Sequence, residues 1–168
     1  GMYVEAILTN HASVAQLAAL CDSNSVRMKY YAEQAPYHVP CYHPRDFKKL
    51  LLETEPDVVI VCTPDATHHE YIITAIQHGC EVITEKPMTT TATTCQDILQ
   101  TVRDTAKTLR VTFNYRYSPR NSKVKEVLQN GDIGDVTQVH FEWLLDTLHG
   151  ADYFRRWHRD KLTSGGLM

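Results

Sequence analysis

The sequence is poor in the features that would assign it quickly. Its seven glycines form no G-x-G-x-x-G turn, so the usual backbone cradle for a pyrophosphate is not among the 168 residues. Its five cysteines, Cys21, Cys41, Cys62, Cys80 and Cys95, include no C-x-x-C pair, which argues against a dithiol redox centre and a zinc knuckle. Scattered single cysteines predict reduced, mostly buried thiols of a cytoplasmic protein. An excess of basic charge is also missing: 17 Lys and Arg stand against 20 Asp and Glu, a net charge of -3, and nucleic acid is held by positive surface. The longest aliphatic run, residues 58–61, is far too short to cross a bilayer, and no basic-then-apolar leader opens the chain. His68 and His69 have no H-E-x-x-H pattern or carboxylate at ligand spacing, so no metal site is expected. Gly1 ahead of Met2 reads as a remnant of tag removal, which would put the natural start at Met2.

What remains is the make-up of an ordinary globular protein, 43% apolar and 22% charged, long enough for one domain and part of a second. Apolar spacing predicts a helix over 2–10 and a strand over 14–21, ending at Asp22. Two further helices, 25–34 and 46–53, flank a Pro- and His-containing loop over 36–44. The β-branched run 57–63 lies between Pro56 and Pro64 and reads as a strand buried on both faces. A helix over 66–78 closed by Gly79, a strand over 80–84, a helix over about 93–107 and a strand over 109–115 continue the alternation. Strands alternating with helices predict right-handed crossovers and an α/β, doubly wound parallel sheet. Beyond Ser118 a helix over 119–129, a turn at Asn130-Gly131-Asp132 and a strand over 136–145 follow. In that last strand Val139, Phe141, Trp143 and Leu145 alternate with Gln138, His140, Glu142 and Leu144, the pattern of a sheet covered mainly on one face and the expected first strand of a second, α+β domain. The tail over 146–168 is rich in charged and aromatic residues and stops at Gly165-Gly166-Leu167-Met168 without a closing element.

In an open parallel sheet, ligands bind beyond the carboxyl ends of the strands. Those positions hold Asp22, Thr63-Pro64-Asp65 with His68 one turn on, Glu85-Lys86-Pro87, and Asn114-Tyr115-Arg116-Tyr117. Asp22 suits a carboxylate bonding an adenosine ribose, and equally suits a turn or helix cap over residues 22–25. Lys86, partly desolvated, can exchange a proton with a substrate hydroxyl during hydride transfer; the plain alternative is a solvated lysine paired with Glu85. His68 can bond a ligand or cap its turn. Tyr153, Arg156, Trp157 and His158 in the tail combine flat rings with forked cations, which suit a sugar's apolar face and its hydroxyls or carboxylates.

These strand-end residues resemble a known set. Thr63-Pro64-Asp65-Ala66-Thr67-His68 is similar to the T-P-x-x-x-H segment, and Glu85-Lys86-Pro87 to the E-K-P signature, of the Gfo/Idh/MocA oxidoreductases. The stretch from Asn114 to Pro119, a helix, and Gly131-Asp132-Ile133-Gly134 before a strand resembles that family's passage into its substrate domain. The resemblance implies an NAD(P)-dependent oxidoreductase acting on sugars, polyols or related carbohydrate derivatives. It implies that Lys86 is the catalytic residue, that Glu85 and Pro87 fix its backbone, and that Thr63, Pro64, His68 and Asn114 line the cofactor. Asp22 matches the acidic ribose ligand and favours NAD over NADP. Arg116, Tyr153, Arg156, Trp157 and His158 fall on the substrate side.

Set against that family, the expected fold is an incomplete Rossmann domain over 2–118, lacking its first strand and Gly-rich loop, followed by the start of a substrate domain over 119–168. A chain truncated at both ends is expected to bind a dinucleotide weakly or not at all, and to self-associate through uncovered strand edges. The alternative is a non-catalytic interaction or scaffold module built on the same partial fold.

Overall fold

The computed structural model describes residues 1–144 and 146–166, apart from the side chains of His149 and Asp152. Five short strands run in chain order: β1 (Leu20–Cys21), β2 (Cys41–Tyr42), β3 (Val58–Val61), β4 (Glu81–Glu85) and β5 (Leu109–Thr112). All pairings are parallel. β4 lies between β3 and β5, with Val61 opposite Thr84 and Glu85 opposite Thr112, while β1 and β2 form a separate two-stranded ladder. The α/β class with parallel sheets follows the alternation read from the sequence.

Helices α1 (Met2–Leu8), α2 (Ser25–Ala32), α3 (Phe47–Thr54), α4 (His68–Gln77) and α5 (Ala92–Thr105) fill the connections. Their ends are set locally. Asn24 caps α2 by accepting from the Arg27 amide, Thr91 caps α5 through the Thr94 amide, and Gly79 takes φ +87° just after α4. The core lies between the sheet and α3 to α5: Leu50 and Leu51, Ile72 and Ile76, and Ile98 pack against Val61 and Val82. Burial of this set is the main stabilising term for the fold.

Four expectations need correction. The strand over 14–21 shrinks to Leu20–Cys21, and Val14 is 81% exposed. The physical reason is supply of partners: β2 is only two residues long, the Leu20 and Asp22 amides donate to Pro40 and Tyr42, and the Leu17 amide donates to the Tyr37 hydroxyl instead. β3 is covered only toward its carboxyl end, since Val58 remains 45% exposed while Val61 is buried. The thiols are free but not mostly buried: Cys80 is, whereas Cys41 on the two-residue β2 and Cys62 at the open end of β3 are exposed.

The largest correction lies beyond β5. A 3-10 turn over Asn114–Tyr117 leads to α6 (Pro119–Asn130), capped by Ser118 and ended by Gly131 at φ +74°. Residues 136–144 then form no strand; Leu145, the last position of the expected strand, lies outside the described residues. Val139 and Phe141 are 80% and 77% exposed. Alternation prepares one face for burial, but a strand needs a neighbour to take its backbone bonds, and none of the described residues supplies one. The tail, for which the sequence offered no element, folds as α7 (Thr147–Arg155), a 3-10 turn over Trp157–Arg159 and α8 (Lys161–Ser164).

Candidate functional site

The carboxyl ends of β3 and β4 lie side by side, which brings the two strand-exit segments together. After β3, the chain passes Cys62, Thr63 and Pro64 into a 3-10 turn over Asp65–Thr67 and then α4. The Thr67 hydroxyl closes this turn on the Pro64 carbonyl at 2.7 Å and approaches the Thr63 hydroxyl at 2.8 Å. After β4 come Lys86 and Pro87, joined by a cis peptide bond.

His68 ties the two segments. Its side chain is fully buried, with Nδ1 2.8 Å from the Pro87 carbonyl and Nε2 2.8 Å from the Thr63 carbonyl. A neutral imidazole donates to one of these carbonyls and a doubly protonated ring to both. In either state the ring holds the exits of β3 and β4 at a fixed separation. This answers the question left by the sequence: the nitrogens of His68 face the protein's own backbone.

Glu85 is the second anchor. Its Oε1 accepts from the Tyr3 hydroxyl at 2.8 Å, and its Oε2 accepts from the Lys86 amide at 3.3 Å. Burial, together with the Glu85 carboxylate it donates to, pushes the Tyr3 phenol up to about 12, against an opposing effect of Thr112. Among the described residues no carboxylate stands within ion-pair distance of the Lys86 ammonium, so the plain pairing of Lys86 with Glu85 does not form.

Opposite these exits the tail makes a second wall, enclosing a cleft of about 370 Å³. Thr63, Asp65, His68, Glu85, Lys86 and Pro87 line the sheet side; Tyr153, Trp157, His158, Ser164 and Gly166 line the other. The His158 ring stacks on Trp157 at 3.7 Å between centroids and tilts against Tyr153 at 5.2 Å. Its Nδ1 is buried with no hydrogen-bond partner among the described residues. The tail holds its own shape: Asp160 caps α8 through the Leu162 amide, and the Ser164 hydroxyl donates to the His158 or Asp160 carbonyl. It seats on the sheet half at Gly165, whose φ is +77° and where an added Cβ would lie a tight 3.2 Å from the Thr90 side chain.

Desolvation raises the Asp65 carboxyl above its ordinary range, against the pull of His68, Lys86 and His158. Desolvation around its sulfur, and then the Glu85 charge, push the Cys62 thiol up to about 11, which keeps it protonated and a poor nucleophile.

The cleft thus gathers Thr63, His68, Glu85, Lys86, Pro87, Tyr153, Trp157 and His158 from the residues singled out in the sequence. It does not gather the others. Asp22 sits at the end of β1, where it accepts from the Asn24 amide at 2.8 Å and pairs with Arg27 at 3.2 Å, the turn-and-cap arrangement. Pro64 precedes the 3-10 turn with its ring exposed; Asn114 accepts from the Tyr115 amide, and Arg116 stands 5.7 Å over the Phe113 ring. Arg156 is exposed beside the cleft-lining Trp157. Sequence reasoning missed Tyr3, Ser164 and Gly166, and gave Asp65 no role. Asp65 carried a signal, since it is an acid at a strand exit, whereas nothing near Tyr3 in sequence announces its partner. No group of three or more potential metal ligands occurs among the described residues.

This arrangement matches known proteins along its whole length. A family model described as an oxidoreductase family with an NAD-binding Rossmann fold matches residues 2–113, and one for the C-terminal alpha/beta domain of an oxidoreductase family matches residues 125–168. The chain is 37% identical to YteT of Bacillus subtilis (strain 168) over 168 residues, which is 99% of the chain and 39% of that protein. It is 37% identical to an inositol 2-dehydrogenase of Gluconacetobacter diazotrophicus over 129 residues, 74% of the chain and 37% of that protein. The WlbA dehydrogenase of Bordetella pertussis, solved in complex with NADH and UDP-GlcNAcA, shares the fold with a TM-score of 0.70 at 22% identity, over 79% of this chain and 39% of that one. The chain therefore spans well under half the length of the relatives it matches.

Proposed function

The chain belongs to the Gfo/Idh/MocA family of oxidoreductases, and from that premise we propose that its cleft is the nicotinamide-facing part of the active site of an NAD(P)-dependent dehydrogenase acting on a sugar, a polyol or a related carbohydrate derivative. The observation that carries this reading is Lys86, held between two anchored neighbours, facing the Tyr153, Trp157 and His158 side chains across one cleft. Relatives named inositol 2-dehydrogenase and a fold neighbour holding NADH with a nucleotide sugar support the substrate class.

When bound, a nicotinamide dinucleotide supplies the hydride acceptor or donor. The chain's own residues do the rest. Lys86 takes the proton of the substrate hydroxyl as the carbon bearing it loses hydride, and gives a proton to the carbonyl oxygen as that carbon gains hydride. Thr63, Pro64, Glu85 and Pro87 shape the backbone around the nicotinamide ribose, with Asn114 at the neighbouring strand exit. Trp157 and Tyr153 take the apolar face of the sugar ring, His158 backs Trp157 on the substrate side, and Arg116 and Arg156 meet substrate at the mouth. Asp22 is assigned to the adenosine ribose, where its charge favours NAD over NADP.

The groups present fit the nicotinamide end of the cofactor. The glycine turn that cradles a pyrophosphate is not in the 168 residues. Residues 2–118 are accordingly read as the dinucleotide-binding part and 119–168 as the start of the substrate domain. Binding by this chain alone is weak, and copies associate through the open edge of β3 in a cytoplasmic setting.

The test is a pair of titrations followed by amide chemical shifts. Nicotinamide mononucleotide and NADH are expected to bind with similar, weak affinity and to perturb residues 63–68, 85–87 and 153–158, and Lys86→Ala should weaken both. Micromolar binding of NADH with no effect of the mononucleotide would overturn the assignment of the cleft to the nicotinamide end.

A further inference from the structure

We propose that Tyr3 is a positioning residue for Lys86, acting through Glu85 to keep the lysine's ammonium unpaired and turned to ligand. The inference deepens the functional reading above and rests on its assignment of Lys86.

Glu85 and Lys86 are neighbours in the chain, and a carboxylate so close to an ammonium ordinarily swings toward it. In this fold each carboxylate oxygen already accepts one hydrogen bond, and the two together fix which way the carboxylate faces. Oε2 accepts from the Lys86 amide, and Oε1 accepts from the Tyr3 hydroxyl. The phenol has a single hydrogen, and a carboxylate is the stronger of its two possible acceptors, so the 2.8 Å contact with Glu85 is its bond. Its oxygen also rests 3.1 Å from the Thr112 hydroxyl, which itself donates to the Thr84 carbonyl at 3.2 Å. Thr112 is the register partner of Glu85 on β5. The phenol is therefore seated by two adjacent strands and presented to the carboxylate at one height in the sheet. Because burial and the neighbouring charge push Tyr3 up to about 12, it remains a donor throughout the working range of such an enzyme.

Loss of this one hydrogen bond releases Oε1. The freed carboxylate then pairs with the Lys86 ammonium, which stabilises the protonated amine and draws it from the cleft. Tyr3 thus acts on Lys86 without touching substrate.

The test is competitive acetylation of the intact 168-residue chain by acetic anhydride near pH 8, with Lys86 read against exposed Lys48 by mass spectrometry and no nucleotide present. Tyr3→Phe is expected to slow labelling of Lys86 about two- to fivefold relative to Lys48. Glu85→Gln alone should not slow it, and the double variant Tyr3→Phe with Glu85→Gln should restore the wild-type ratio, since no carboxylate is left to pair. Unchanged labelling in Tyr3→Phe would overturn the proposal, as would equal slowing in the double variant. Faster labelling in Tyr3→Phe, the mark of a loosened fold, would overturn it too. The functional reading is separable: lost mononucleotide binding with this labelling pattern intact sinks that reading and leaves the positioning of Lys86 standing.

Discussion

Two histidines line one cleft from opposite walls, and they could hardly be held more differently. His68, on the sheet side, is fully buried and has a backbone carbonyl at 2.8 Å from each ring nitrogen. His158, on the tail side, keeps its ring in a stack with Trp157 and leaves Nδ1 without a partner among the described residues. A ring whose nitrogens are spent on the backbone holds architecture together; a buried nitrogen left unspent costs stability until something bonds it. The sheet wall is thus the rigid reference against which the tail wall offers its polar groups.

The sharpest way to break this contrast is to truncate both rings. His68→Ala should cost about 3 kcal/mol in urea denaturation, since it empties a buried volume and strands two carbonyls. His158→Ala should cost less than about 1 kcal/mol, because it removes a stack but no hydrogen bond at Nδ1. Equal costs would erase the distinction between the walls.

A smaller effect is expected where the walls meet. Gly165→Ala places a Cβ at a positive φ against Thr90, so roughly 1–2 kcal/mol should be lost in the same assay. If alanine is tolerated without cost, the tail does not rest on the sheet half at that point.

The smallest effect has a distinctive pH signature. The Asp65 carboxyl is raised by desolvation, so in the folded protein it ionises with more difficulty than in the unfolded chain. Its contribution is fully present below the ordinary carboxylate range and is lost as pH rises through the raised value. Asp65→Asn should therefore stabilise the protein by under about 1 kcal/mol at pH 7 and show no gain near pH 3. A gain of the same size at both pH values would assign the effect to something other than ionisation.

Much of the sheet wall was legible in the sequence because its signals are local. Short β-branched runs ending in Thr-Pro and Glu-Lys-Pro announce strands and their exits, and the rule that ligands sit beyond strand ends points to Thr63, His68 and Lys86. What His68 does there was not legible, because its second acceptor, the Pro87 carbonyl, lies 19 residues away. Tyr3 was invisible for the same reason: its contacts with Glu85 and Thr112 span 82 and 109 residues. The misread strands at 14–21 and 136–145 show the converse. Apolar pattern reports which side chains would be buried, while strand formation also needs a neighbouring backbone, and pattern alone does not say whether one is there.

The imidazole of His68 has one further consequence. With a backbone carbonyl against each ring nitrogen, the ring works as a gauge block between the exits of β3 and β4, and its size sets how far apart they stand. A longer or shorter side chain would change that span for every ligand at once. Adjustment of what the cleft accepts is therefore left to the tail, where side chains can be exchanged without resetting the sheet.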